Sequence, residues 1–279
     1  MRYIIFIFMI FSLFLSPVFA EDEDSGKEKQ KIYHVFNDVD LIPATNIQYD
    51  RPRIVIKSVY PKLESGMPDE NIDIFNNQVE SVIQNEVSGF KLRVTGNKSI
   101  QQTIPKKRIK NDLNVDFDTA IINTSDNPII SIRFTFQQLI TGLAHPTHYH
   151  RVLNFDFETG AALQLEDLFL PESNYLGVIS DYSRLVLSKK LKNHRNNLTV
   201  GTAPIADNFK NWNINPSGLR ITFDESQVAP YIFGTQTVLI PYSALKDILS
   251  PDSPLAKCLK HRRRCLSENL LTGGFMDEA

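Results

Sequence analysis

The sequence predicts an α+β fold: a mainly antiparallel sheet with two or three amphipathic helices packed on it. Two long runs of alternating apolar and polar residues, Leu113–Thr124 and Ile129–Leu139, flank the turn residues Asp126-Asn127-Pro128, which is the pattern of a long hairpin. Two further stretches carry helical spacing, one around Ile72–Ile83 and one around Tyr175–Val186. Strands and helices do not alternate strictly, so a parallel sheet built from crossover units is not expected.

Taken in order, Ile4–Leu15 is an apolar run behind Arg2, broken at Ser16-Pro17 and followed by Val18-Phe19-Ala20. That is the build of a secretory signal peptide over residues 1–20, cleaved after Ala20. No cysteine stands directly after the cut, and no later stretch is long enough to span a bilayer. The mature chain is therefore expected in a periplasm or outside the cell. Residues 21–45 read as a leader, flexible through the charged run Glu21–Lys31.

A first module is expected over residues 46–137. Arg53–Tyr60 reads as a strand ended by Pro61, with a Gly/Pro loop through Pro68. Asp69 is placed to cap a helix whose apolar positions are Ile72, Phe75, Val79, Val82 and Ile83. Gly89 reads as its stop, with Phe90–Thr95 returning as a strand. The basic cluster Lys106–Lys110 reads as a solvated loop or edge strand.

A second module is expected over residues 138–250. Val152–Phe157 is a strand with Leu153, Phe155 and Phe157 on one side, turned by Thr159-Gly160. Ser173 caps a helix with Tyr175, Ile179, Tyr182, Leu185 and Val186 buried; Asn196–Asn211 reads as loop. Leu219, Ile221 and Phe223 alternate as a strand, Glu225–Gly234 is an apolar loop, and Thr237–Ile240 is the last strand. Pro241 then opens a helix with Leu245, Ile248 and Leu249 on its apolar face.

Residues 251–279 are a basic tail carrying Lys260–Arg264 between Cys258 and Cys265. In an exported chain these two cysteines are expected to form a disulfide. Seven residues of helix would separate them by about 10 Å, too far to bridge, so the disulfide requires a non-helical loop.

Composition bounds the function. With 42% hydrophobic and 22% charged residues the chain is an ordinary globular protein, and a formal net charge of −2 gives no field that favours nucleic acid. His145, His148 and His150 form the histidine cluster, and three imidazoles suffice for a zinc site with an open position. The carboxylates Asp156, Glu158, Glu166 and Asp167 lie near one hairpin, where turn and cap roles account for them. No nucleophile elbow, HExxH or phosphate loop is present.

Three segments carry a family resemblance: Arg53–Val94, Gly142–Phe169 with its Ala-His-Pro element and the run NFDFETG, and Gly218–Leu249. Together the chain resembles the RsiV-like family of bacterial envelope domains. The family includes the outer part of a lysozyme-sensing anti-sigma factor and the N-terminal region of a peptidoglycan deacetylase. The resemblance implies a non-enzymatic, monomeric binding protein without cofactor, whose partner is a lysozyme-like protein or peptidoglycan. It also accounts for His145 as part of an Ala-His-Pro turn that needs no metal. Tyr231, Phe233 and Tyr242, with His145, His148 and His150, are the candidate binding residues. The alternative is a metal-dependent hydrolase built on His145, His148 and His150.

Overall fold

The fold is built on the hairpin that the alternating runs predict. The structure, a computed structural model, describes residues 32–51, 53–123, 128–191, 195–260 and 270–272. The expected signal peptide, the turn at Asp126 and Asn127, Arg262–Arg264 and Cys265 lie outside the described residues.

Strands β4 (Asn111–Asn123) and β5 (Pro128–Leu139) pair antiparallel from Asp112 opposite Leu139 to Asn123 opposite Pro128. β6 (Thr147–Asp156) pairs with β5 over ten residues, and the two-residue β7 (Ala161–Ala162) pairs with the end of β6. On the other side β3 (Ile54–Ser65) joins the first half of β4 in parallel, and β2 (Val39–Asp50) and β1 (Tyr33–Phe36) continue outward antiparallel. A short strand, β11 (Leu270–Thr272), pairs with β4 at Asp118–Ala120, beyond the reach of β3. The remaining three strands, β8 (Trp212–Asn215), β9 (Gly218–Phe223) and β10 (Gln236–Pro241), form a separate sheet in the order β10-β9-β8. The class is α+β with a predominantly antiparallel sheet, as the alternation requires.

Because side chains alternate across a strand, the hairpin serves two cores. Val115, Phe117, Ile130, Ile132 and Phe134 face helix α1 (Glu70–Gly96), which the short helix α2 (Lys98–Thr103) follows, in the first core. Ala120, Ile122 and Ile129 belong to the second core, with β8–β10 and helix α3 (Tyr175–Lys190).

Several elements differ from the sequence reading. Residues 33–50 form β1 and β2, where a leader was expected to residue 45. β3 runs through Pro61 instead of ending there. Pro61 sits opposite Pro43 of β2, and neither proline has an N–H to give that pair. β4 pairs only with Ile54–Ser58, so Pro61 breaks no ladder bond on the far side either.

Helix α1 does begin at Asp69, whose side chain accepts the N–H of Asn71 at 2.8 Å. It does not stop at Gly89. Phe90 and Val94 fall on the same stripe as Val87 and are fully buried, so the expected return strand is the last two turns of the helix. A mid-helix glycine costs about 1 kcal/mol, less than the burial of one Phe returns.

In α3 the cap is Asn174, which accepts from Gly177, rather than Ser173. The buried face is Ile179, Ser180, Ser183 and Leu187, and Leu185 is 58% exposed. Two buried serines explain the rotation: the Ser180 hydroxyl donates to the Thr202 carbonyl, next to helix α4 (Arg195–Gly201) in a stretch read as loop. The helix expected after Pro241 is one turn, α5 (Tyr242–Leu245). Beyond it the backbone turns into a ladder with residues 168–170, through Leu170 N–H to Ile248 and Ser250 N–H to Leu168. Helix α6 (Pro254–Lys260) follows and buries Cys258. The described residues form one compact unit.

Candidate binding surface along the edge of β6

β6 is the strand that organises the candidate residues. Its alternation sends Tyr149, Arg151, Leu153 and Phe155 toward α1, and His148, His150 and Asn154 toward the small sheet. Its outer edge is covered by β7 only at Phe155 and Asp156. The backbone N–H groups further up would be open, an invitation to stray strand pairing. They are met by side chains instead. The His150 N–H donates to Asp224 Oδ1 at 2.9 Å, and the His148 N–H donates to Glu225 Oε2 at 2.9 Å. Asp224 and Glu225 directly follow β9, so the small sheet delivers two carboxylates to the exposed edge of the large one.

The same carboxylates take the imidazoles. His148 Nδ1 lies 2.7 Å from Glu225 Oε1 and His150 Nδ1 lies 2.8 Å from Asp224 Oδ1. A carboxylate only accepts, so Nδ1 carries the proton in both rings. His150 is buried and His148 half-buried.

The small sheet's edge is sealed in return. The Ile214 N–H of β8 donates to Ser131 Oγ at 3.0 Å, and Asn154 Nδ2 donates to the Trp212 carbonyl at 3.0 Å. The Asn213 side chain reaches back to the Ile132 carbonyl at 2.9 Å. Below this seam Asp118 holds two guanidinium groups, Arg133 Nε and Arg220 Nη2, each at 2.6 Å. Burial pulls the Arg220 pKa below its ordinary value, and the Asp118 charge opposes that shift.

Above the strand, two loops meet. His145 stacks on Tyr231 with ring centroids 3.8 Å apart, and the Tyr231 hydroxyl donates to the Pro146 carbonyl at 3.2 Å. Tyr231 opens the turn Tyr231–Phe233, closed by Gly234 at φ +59°, a conformation natural only to glycine. In this turn Ile232 is 84% exposed and Phe233 39% exposed; Leu143 in the facing loop is also exposed. The structure thus brings His145, Tyr231 and Phe233 to one apolar platform next to His148 and His150. Tyr242 stands apart at the other end of β10, buried, with its hydroxyl donating to the Asn215 carbonyl. Burial raises its pKa.

The three imidazoles do not gather as the zinc alternative requires. His145 Nδ1 sits 2.9 Å from its neighbouring Pro146 carbonyl, while His148 and His150 are each held by a different carboxylate. Among the described residues no three His, Cys, Asp or Glu side chains form a metal-ligand group. Asp156 accepts the Glu158 N–H at 2.9 Å and Asp167 accepts the Gln164 N–H at 2.7 Å, which are turn and cap roles. Sequence reasoning pointed to the Glu225 loop but missed Asp224. Its position directly after an alternating strand was the available signal.

Comparison with known proteins adds a partial family match and several relatives. Residues 166–243 match the model of DUF3298, a protein of unknown function. The chain is also similar to the peptidoglycan-N-acetylmuramic acid deacetylase PdaC of Bacillus subtilis (strain 168), 31% identical over 186 residues. That similarity covers 64% of this chain and 38% of PdaC, so the chain spans well under half of that relative. A solved DUF3298 family member from Bacteroides fragilis shares the fold at TM-score 0.54 and 15% identity, covering 82% of this chain and 97% of its own. A DUF3298 protein from Pseudomonas aeruginosa PAO1 does so at 0.50 and 13%, covering 80% and 98%. Among the described residues no helix is long and apolar enough to cross a membrane.

Proposed function

We propose that this chain is a non-enzymatic binding protein of the bacterial cell envelope, periplasmic or secreted, and that its partner is peptidoglycan. The observation that carries the reading is the platform of His145, Tyr231, Ile232 and Phe233. The exposed His145 and Phe233 rings, the half-buried Tyr231 and the protruding Ile232 on a pinned turn suit stacking against a sugar face more than acid-base chemistry. The similarity to PdaC, whose name states a peptidoglycan substrate, supports the choice of partner. The resemblance to RsiV-like envelope domains supports the compartment, and export would favour pairing of Cys258 with Cys265.

The test is co-sedimentation of the mature protein, residues 21–279, with purified sacculi. Wild type is expected in the pellet, and Ile232→Ser with Phe233→Ser, both at exposed positions, in the supernatant at unchanged melting temperature. A soluble wild type that instead captures lysozyme in solution would replace the glycan by a lysozyme-like protein partner. No binding to either overturns the reading.

A further inference from the structure

The small sheet overlies the large sheet's face opposite α1 at Asp118 and Arg133, which Arg220 and Thr222 of β9 reach. Further toward the start of β4 the same face carries a straight row of side chains. Lys57 of β3 stands opposite Asn114 of β4, Asn114 opposite Gln137 of β5, and Gln137 opposite His148 of β6. Their neighbours Ile56, Val115, Phe136 and Tyr149 pack in the first core, so alternation turns the row to the other side. Lys57 is exposed, and Asn114, Gln137 and His148 are half-buried.

The row holds hydrogen-bonding capacity that the fold does not use. The adjacent Gln138 accepts from Arg93 at 3.1 Å and donates to Thr147 at 2.8 Å. The side chains of Asn114 and Gln137 have no such partner among the described residues. His148 gives its Nδ1 proton to Glu225, which leaves Nε2 as an acceptor. Charge on this face is just as uneven. Asp112 is paired with Lys110 at 3.0 Å, Glu225 with His148, and Asp224 with His150, while Asp116 accepts the Phe117 N–H at 2.7 Å. Lys57 makes no ion pair among the described residues. The complement of such a row is an anion set among amide and hydroxyl groups.

The row is continuous with the apolar platform. His148 follows His145 on one chain segment, and its partner Glu225 opens the loop that carries Tyr231–Phe233. Neighbouring strands lie about 4.8 Å apart, so the row runs about 14 Å from β3 to β6, room for a disaccharide lying across the strands. We infer that Lys57, Asn114, Gln137 and His148 form a track for an extended aminosugar chain that carries carboxylates, leading away from the platform. The inference rests on the peptidoglycan reading above and deepens it. Asn114 and Gln137 exchange hydrogen bonds with hydroxyl and acetamido groups of successive rings, and His148 Nε2 accepts from a hydroxyl. Lys57 takes the carboxylate of a lactyl ether. An uncharged aminosugar chain leaves Lys57 unmet, and a plain polyanion leaves the two amides unmet.

The test titrates the mature protein, residues 21–279, with a peptide-free peptidoglycan tetrasaccharide, whose lactyl carboxylates are free, with uncharged chitin tetrasaccharide and with poly(glycerol phosphate). The peptidoglycan tetrasaccharide is expected to bind about three- to fivefold more tightly than chitin tetrasaccharide, the yield of one exposed ion pair. It should shift the backbone amides of residues 57, 114 and 137 in NMR spectra. Asn114→Ala with Gln137→Ala should weaken its binding about tenfold, the loss of two hydrogen bonds, at unchanged melting temperature. Lys57→Gln should bring its affinity down to that of chitin tetrasaccharide. Shifts confined to residues 143–148 and 225–234, undiminished binding by the double variant, a lower melting temperature of that variant, or preference for poly(glycerol phosphate) overturns the track. If wild type pellets with sacculi while any of these holds, the peptidoglycan reading survives without it. If wild type binds neither sacculi nor tetrasaccharide, both are overturned.

Discussion

The backbone N–H and the Nδ1 of His150 both converge on one oxygen of Asp224, at 2.9 and 2.8 Å. One carboxylate from the small sheet therefore satisfies two buried donors at the edge of the large one. Asp224→Ala leaves both donors unpaired and should cost about 2–4 kcal/mol. Asp224→Asn keeps an acceptor and should recover part of the loss. Urea unfolding measures both; equal stability of all three proteins would show that the contact contributes nothing.

Asp118 holds Arg133 and Arg220 in a largely buried cluster, where Arg220 Nε has no hydrogen-bond partner among the described residues. Removing the shared anion strands two cations, so Asp118→Asn should destabilise by about 3–5 kcal/mol. Arg220→Met is expected to be near neutral, since it replaces an incompletely paired charge by a chain of similar length. The comparison is made by thermal melts at a fixed ionic strength.

Gly89 is the position that separates a helix stop from a helix interior. As an interior residue it tolerates a Cβ, whose nearest neighbour is the movable end of Arg93 at 3.3 Å. Gly89→Ala should then stabilise by about 0.5–1 kcal/mol. A loss of stability would argue for the early stop that the sequence alone suggests.

Tyr149 and Tyr242 both have pKa values raised above the tyrosine norm of 10.0, mainly by burial; Glu86 adds to the rise at Tyr149 and the nearby arginines oppose it. The unfolded chain ionises them near pH 10 and the folded chain does not. Their contribution is thus complete below about pH 10 and declines as pH rises beyond it, at up to about 1.4 kcal/mol per pH unit for each. Chemical denaturation across this range should show the slope, and Tyr149→Phe should remove its share.

The hairpin was legible because alternation and a turn are local signals. The same register places Asp118 opposite Arg133, so half of the charge cluster was readable from it. Arg220 was not, because it arrives from a different sheet. The end of α1 was misread where Gly89, a strong local stop signal, is overridden by the burial of Phe90 and Val94. The buried face of α3 was misread because two serines, Ser180 and Ser183, take buried positions in place of Leu185 and Val186, and Ser180 donates to the Thr202 carbonyl. At the candidate surface, the pairing of His145 with Tyr231 joins loops 86 residues apart, and periodicity has no reach over that distance.

The mutual sealing of the two sheets has a consequence for how the chain can be divided. Cut to its family match, residues 166–243, the protein would keep β8 but lose Ser131 and Asn154, the side chains that seal its edge. Such a fragment carries an unprotected ribbon and should self-associate on a sizing column, whereas the chain from residue 32 onward should not. The stretch that identifies relatives is thus smaller than the piece that stands alone in solution.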